Sequence, residues 1–83
     1  MDGMNGKDQK LRIDEIIAEQ MTISTDQIGA KDNLEEDLFM DSLDKVEVLM
    51  AIEEEFNIEI NDKLAIETMT TFDLYEVVQD LSL

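Results

Sequence analysis

Between Asp41 and Asn57 runs the segment SLDKVEVLMAIEEEF, which holds neither Pro nor Gly and whose apolar residues recur at helical spacing. Asp41 is a good N-cap, Asp44 suits the first turn of a helix dipole, and Asn57 tolerates the left-handed conformation that closes a helix. A helix over 42–56 follows, and a helix of that length sets the class of fold its neighbours can join. At about 100° per residue, Val48, Leu49, Ile52 and Phe56 share one side, the natural core face. Leu43, Val46 and Met50 gather on another side, the two group centres lying about 140° apart. Glu47, Glu53 and Glu54 accompany the second group, while Lys45 falls on the core side with its stem suited to snorkelling. Two readings fit this pattern. The helix is packed on two sides, or it exposes an acid-bordered apolar strip of the kind that docks a basic partner.

The rest of the chain supplies partners for that helix. Ile13, Ile16, Ile17 and Met21 have the spacing of one buried face and predict a first helix over 8–21, preceded by a flexible tail at 1–7. The connection over 22–40 is long, with Ile28, Leu34 and Leu38 as isolated anchors. Ile58-Glu59-Ile60 alternates like a strand but is too short to build a sheet. Asn61 or Asp62 can cap a short helix at 63–68. Thr70, with Asp73 three residues on, caps a last helix whose stripe is Phe72, Tyr75, Val78 and Leu81. The expected fold is therefore all-α, a small four-helix bundle of three main helices and one short one, in a single domain over 8–83.

Composition narrows the function. The chain has 83 residues, 22 Asp and Glu against 6 Lys and Arg, and a formal net charge of −16. Such a chain does not neutralise nucleic-acid phosphates, and anionic membrane surfaces repel it. No apolar run reaches the roughly 20 residues that span a bilayer. Without His or Cys, Ser-His and Cys-His nucleophile pairs are excluded, as are zinc sites of the usual ligand sets. The acid-rich run 32–37 fails as a calcium loop, because Leu34 takes a ligand position and no Gly sits sixth. No metal site is expected. Absence of Cys fits a reducing compartment, so a cytoplasmic, monomeric interaction partner is the expectation rather than an enzyme. The charge is also uneven: residues 1–31 carry 4 basic and 6 acidic groups, residues 32–83 carry 2 basic and 16 acidic.

Asp41-Ser42 before a helix is ordinary capping chemistry on its own. A Ser with no His in the chain lacks the usual internal base, so a conventional hydrolase nucleophile is not expected. Another enzyme can still modify it, and a helix N-terminus favours an attached phosphate.

Glu36-Asp37-Leu38, Asp41-Ser42-Leu43-Asp44, Val46-Glu47 and Met50-Ala51-Ile52-Glu53-Glu54-Glu55-Phe56 closely resemble the acyl carrier proteins of fatty-acid and related synthesis. The likeness extends to Ile16-Ile17-Ala18-Glu19-Gln20, Glu59-Ile60 and Thr70-Thr71, covering nearly everything after the tail. The resemblance implies that Ser42, flanked by Asp41 and Leu43, receives 4′-phosphopantetheine from coenzyme A through a phosphopantetheinyl transferase. The arm's thiol then carries acyl groups as thioesters. A chain without Cys needs such an imported thiol. The resemblance also implies a recognition helix over 42–56. Asp41, Asp44, Glu47, Glu53 and Glu54 would be its acidic contacts and Leu43, Val46 and Met50 its apolar ones. These would meet acyl-transferring, condensing or reducing enzymes with basic docking patches. Family members shelter short acyl chains in the core, and Val48, Ile52, Phe56, Ile60, Ile66 and Met69 are the lining candidates here.

Departures from the family pattern bear on partners more than on chemistry. Leu38-Phe39-Met40 stands where Leu-Gly-Ala is common, Asn61 where Pro is usual, and Lys45 where small polar residues are frequent. The stretch 60–69 is about one residue longer than common. Amino-acid carriers more often have Gly-Gly before the Ser, unlike Met40-Asp41. A peptidyl or polyketide carrier, and an unmodified acidic module that binds or inhibits a basic protein, remain as alternatives.

Overall fold

The computed structural model describes residues 6–60 and 70–81, with backbone alone at Gly6 and Lys7. Three α-helices follow in order: α1 (Gly6–Met21), α2 (Ser42–Phe56) and α3 (Thr71–Leu81), with a 3-10 turn at Thr25–Gln27. Among the described residues there is no strand, only one isolated bridge between Asn33 and Thr70. The all-α class therefore holds, and Ile58–Ile60 forms no sheet. The expected short helix at 63–68 lies outside the described residues, as do Ile66 and Met69.

Helix α1 begins at Gly6, two residues before the start read from the periodicity. Its buried residues are Ile13, Ile16, Ile17 and Ala18, and Met21 packs against the core from the edge. It ends at Thr22, whose φ of 59° is left-handed, and Ile23 N donates back to Ala18 O at 3.0 Å. Helix α2 ends the same way: Asn57 has φ 55°, and Ile58 N donates to Glu53 O at 3.1 Å. Asn suits that conformation; a β-branched Thr there costs about 1 kcal/mol.

Helix α1 packs against both α2 and α3. Ile13, Ile17, Val48, Ile52, Leu74 and Val78 are the most deeply buried apolar side chains at the junction. Polar contacts fix the directions. Arg12, near the start of α1, bonds Glu55 at 3.1 Å near the end of α2. Gln20, near the end of α1, bonds Asp44 at 3.1 Å and Glu47 at 2.5 Å near the start of α2. The two helices therefore run antiparallel. Tyr75 OH donates to Asp14 at 2.5 Å and joins α3 to α1, with Lys10 Nζ 5.6 Å from the centre of the Tyr75 ring.

The stripe expected on α3 is corrected. Phe72 and Leu81 are exposed, and the buried face is Thr71, Leu74, Tyr75 and Val78. These four fall at i, i+3, i+4 and i+7, the spacing of one helix side. Thr71 takes the place because its hydroxyl finds a partner there, donating to Gly29 O at 2.7 Å.

The long connection is docked along its length. Leu34, Leu38 and Met40 enter the core, and Ile28 packs against it. Asn33 Oδ1 accepts from Glu35 N at 2.9 Å and from Glu36 N at 2.8 Å, while Asp37 Oδ2 accepts from Asn33 N at 2.8 Å. Thr71 N donates to Asp32 O at 2.9 Å, fastening the same loop across the start of α3. Gly29 lies beside Asp32, where an added Cβ would stand 2.5 Å from Oδ1.

Candidate functional site

The start of α2 is built from its own sequence. Asp41 Oδ1 accepts from Asp44 N at 2.9 Å, and Asp41 N donates to Asp44 Oδ2 at 3.2 Å, a reciprocal capping box. The Gln20 side-chain amide, then the Asp41 backbone N–H, hold the Asp44 carboxyl below the usual carboxylate range. Both carboxylates are thus engaged in positioning the helix. Ser42, the first helical residue, is exposed, and its hydroxyl has no hydrogen-bond partner among the described residues.

Beyond Ser42 the two faces of α2 separate as their spacing predicts. Lys45, Val48, Leu49 and Ile52 are buried, whereas Leu43, Val46 and Met50 are 65%, 44% and 57% exposed. A helix packed on two sides is thereby excluded in favour of an exposed apolar strip. Glu47 and Glu54 stand exposed beside it. Glu53 is drawn inward, its Oε2 accepting from Ile60 N at 2.6 Å, so it ties down the segment after α2. Lys45 buries its stem as expected, and its ammonium pairs with Glu35 of the preceding loop rather than reaching open water.

The expected lining of an acyl pocket divides. Val48, Ile52 and Ile60 are buried in the common core and Phe56 packs against it. Of the four described candidates, only Val48 also borders the groove of about 600 Å³ between α1 and α2, with Ile16, Gln20 and Ala51. Among the described residues no cluster of three acidic side chains is arranged to hold a metal ion, and no helix is long and apolar enough to cross a membrane.

Two contributors escaped the sequence reading, and a third, Phe39, stood out only as a departure from the family pattern. Gln20 and Glu35 act from outside α2, and nothing local marks them as its partners. Phe39 is 80% exposed with a left-handed φ of 62°, three residues before Ser42. Its signal was the bulky residue standing where the resembling family commonly has Gly.

The site holds a hydroxyl forward on a rigid helix start, with no imidazole in the chain and its nearest carboxylates committed to the cap. A helical bundle with such a site has the form of a carrier. The model of the phosphopantetheine attachment-site family matches residues 12–78, and the chain belongs to that family, the acyl-carrier type of carrier domain. Its prosthetic group is 4′-phosphopantetheine, held covalently.

Proposed function

We propose that Ser42 is the attachment residue and that the protein carries acyl intermediates as thioesters on the pantetheine thiol. It delivers them to enzymes of fatty-acid or related synthesis in the cytoplasm, acting as a monomer. The observation that carries this reading is an exposed Ser42, without a hydrogen-bond partner among the described residues, at a capped helix start inside a phosphopantetheine-site match. The residues suit the group. An anionic phosphodiester on Ser42 would lie at the positive end of the α2 dipole, and the free hydroxyl leaves the arm open to solvent.

Loading needs a second enzyme. The Ser42 Oγ–phosphorus bond forms as the phosphoanhydride of coenzyme A breaks, the nucleotide leaves with the other phosphate, and the Oγ proton passes to a base on the phosphopantetheinyl transferase. Asp41 and Leu43 flank the reacting hydroxyl and hold it in place. Asp44, Glu47 and Glu54 supply charge around the strip of Leu43, Val46 and Met50. Glu53 contributes to that field while holding Ile60. Encounters with basic enzymes on such a rim are fast and salt-sensitive, as a shuttle requires. The core residues Val48, Ile52, Phe56 and Ile60, with Ile66 and Met69, are the proposed shelter for a short acyl chain.

Intact-mass measurement tests the assignment. Incubation with coenzyme A and a phosphopantetheinyl transferase adds one phosphopantetheine to the wild type and none to Ser42→Ala. A wild type whose mass does not change overturns the carrier reading and leaves an unmodified acidic module. Loading with malonyl and aminoacyl donors then separates acyl from peptidyl use. The Leu38-Phe39-Met40 and Lys45 departures favour a dedicated pathway, which fails if general elongation enzymes accept the loaded protein as readily as their own carrier.

A further inference from the structure

Leu38 and Met40 are both buried, yet Phe39 between them is 80% exposed, the most exposed large apolar side chain described. The chain does not leave it there by slack. Phe39 N donates to Glu35 O at 3.1 Å and Met40 N donates to Leu34 O at 2.9 Å. The Glu35 carboxylate is in turn paired with Lys45 on the buried face of α2. The left-handed turn at Phe39 returns Met40 to the core and sets Asp41 in its capping position. Glycine would serve that backbone without strain and without placing an aromatic ring in water. Instead a rigid ring stands on a loop fastened to α2, ahead of the exposed Leu43 and Val46.

Distance decides which partner such a ring meets. Two residues, Met40 and Asp41, separate Phe39 from Ser42, so their Cα atoms, three steps apart, lie within about 11 Å by chain length alone. An enzyme working on the far end of a flexible arm can stand off from Ser42, but the enzyme that forms the bond to Oγ cannot. Resting on the assignment of Ser42, we propose that Phe39 is an anchor for the phosphopantetheinyl transferase that loads this chain. The ring enters an apolar pocket whose basic rim faces Asp41, Asp44 and Glu47. A few anchors seated in well-packed, desolvated pockets, aromatic side chains among them, carry most of the binding energy of protein–protein contacts. The ring also excludes transferases that lack the pocket.

The test is steady-state loading of the full chain by the transferase of its own cell, with coenzyme A and intact-mass detection. Phe39→Gly is expected to raise KM for the protein about tenfold and leave kcat within about twofold. Its melting temperature should stay at or above that of the wild type, since Gly relieves the left-handed backbone. Phe39→Leu, which keeps apolar bulk, should recover much of the KM. Opposite movements of affinity and stability are what a structural role for the ring would not produce. Unchanged KM in Phe39→Gly, with wild type loaded normally, overturns the anchor and leaves the carrier reading intact. A wild type that is not loaded at all overturns the carrier reading itself.

Discussion

Two helix starts in this molecule are written in nearly the same letters. Asp41-Ser42-Leu43-Asp44 opens α2, and Thr70-Thr71-Phe72-Asp73 opens α3. Each has a capping residue, a hydroxyl at the first helical position, an exposed large apolar residue, and Asp closing the box. In α3, Thr70 Oγ1 accepts from Asp73 N at 3.2 Å and Thr70 N donates to Asp73 Oδ2 at 2.9 Å, matching the pair in α2. Yet Ser42 is exposed, while Thr71 is fully buried and donates to Gly29 O. Local chemistry specifies where each helix begins. What happens to the hydroxyl is decided by tertiary context: residues 29–33 cross the start of α3, whereas the loop before α2 turns back on itself and leaves Ser42 uncovered.

The sharpest way to break this comparison is to remove each hydroxyl. Ser42→Ala should abolish phosphopantetheine addition while changing unfolding free energy by less than about 0.5 kcal/mol. Thr71→Ala should keep the modification and lose about 2 kcal/mol, because the Gly29 carbonyl loses the shorter of its two hydrogen bonds, keeping only Asp32 N at 3.3 Å, and a buried methyl is removed. In a domain of this size that lowers the melting temperature by about 10 °C. Paired melts and intact masses of the two variants read both effects. Equal stability loss in the two would mean that burial does not distinguish the sites.

Removing the caps probes what the two starts share. Asp41→Ala and Thr70→Ala should each cost about 1 kcal/mol in urea unfolding, since each leaves a helix donor unpaired. A much larger loss at Asp41 would show that its box also holds the 34–40 loop in place. Thr22, the β-branched residue with left-handed φ at the end of α1, offers a gain instead. Thr22→Asn should stabilise by about 0.5–1 kcal/mol, making α1 close as α2 does. An unchanged melting temperature would mean that the Thr22 side chain makes up the strain elsewhere.

What could be read beforehand follows the line between local and long-range causes. Asp41, Asn57 and the Thr70–Asp73 box were legible because a cap needs only its own turn. The two faces of α2 were legible because spacing alone separates Leu43, Val46 and Met50 from Val48, Leu49 and Ile52. Leu34 and Leu38 stood out as lone apolar residues in a polar loop. The α3 face was misread because Thr71 becomes a core residue only when Gly29, distant in sequence, accepts its hydroxyl. Glu53 has the look of a surface acid until Ile60 N arrives. The left-handed turn at Phe39 has no signature in its own residue type, since Phe rarely adopts it. Ser42 is a different case: its position at a helix start was legible from capping, while the chemistry proposed for it rests on the family likeness.

The smallest expected effect separates two aspartates that the sequence treats alike. Asp44 is half-buried, and the Gln20 amide and the Asp41 N–H favour its charged form, so its folded pKa lies below the unfolded one. Its contribution is present above the ordinary Asp value of about 4 and is lost as pH falls through the lower folded value. Asp14 is the reverse. Partial burial raises its pKa, against the lowering effects of the Tyr75 hydroxyl and of Lys10. It therefore favours the fold most below about pH 4, and that contribution is lost as pH rises through its folded value. Urea unfolding from pH 2 to 6 should give a shallower acid loss in Asp44→Asn, which keeps a capping oxygen but cannot titrate. Asp14→Asn should give a steeper one, because the residue that offsets acid unfolding is gone. Matching slopes in the two variants would show that the bonds from Gln20 and Asp41 do not favour the Asp44 charge in solution, and the start of α2 would then owe its position to packing against α1 rather than to its capping charge.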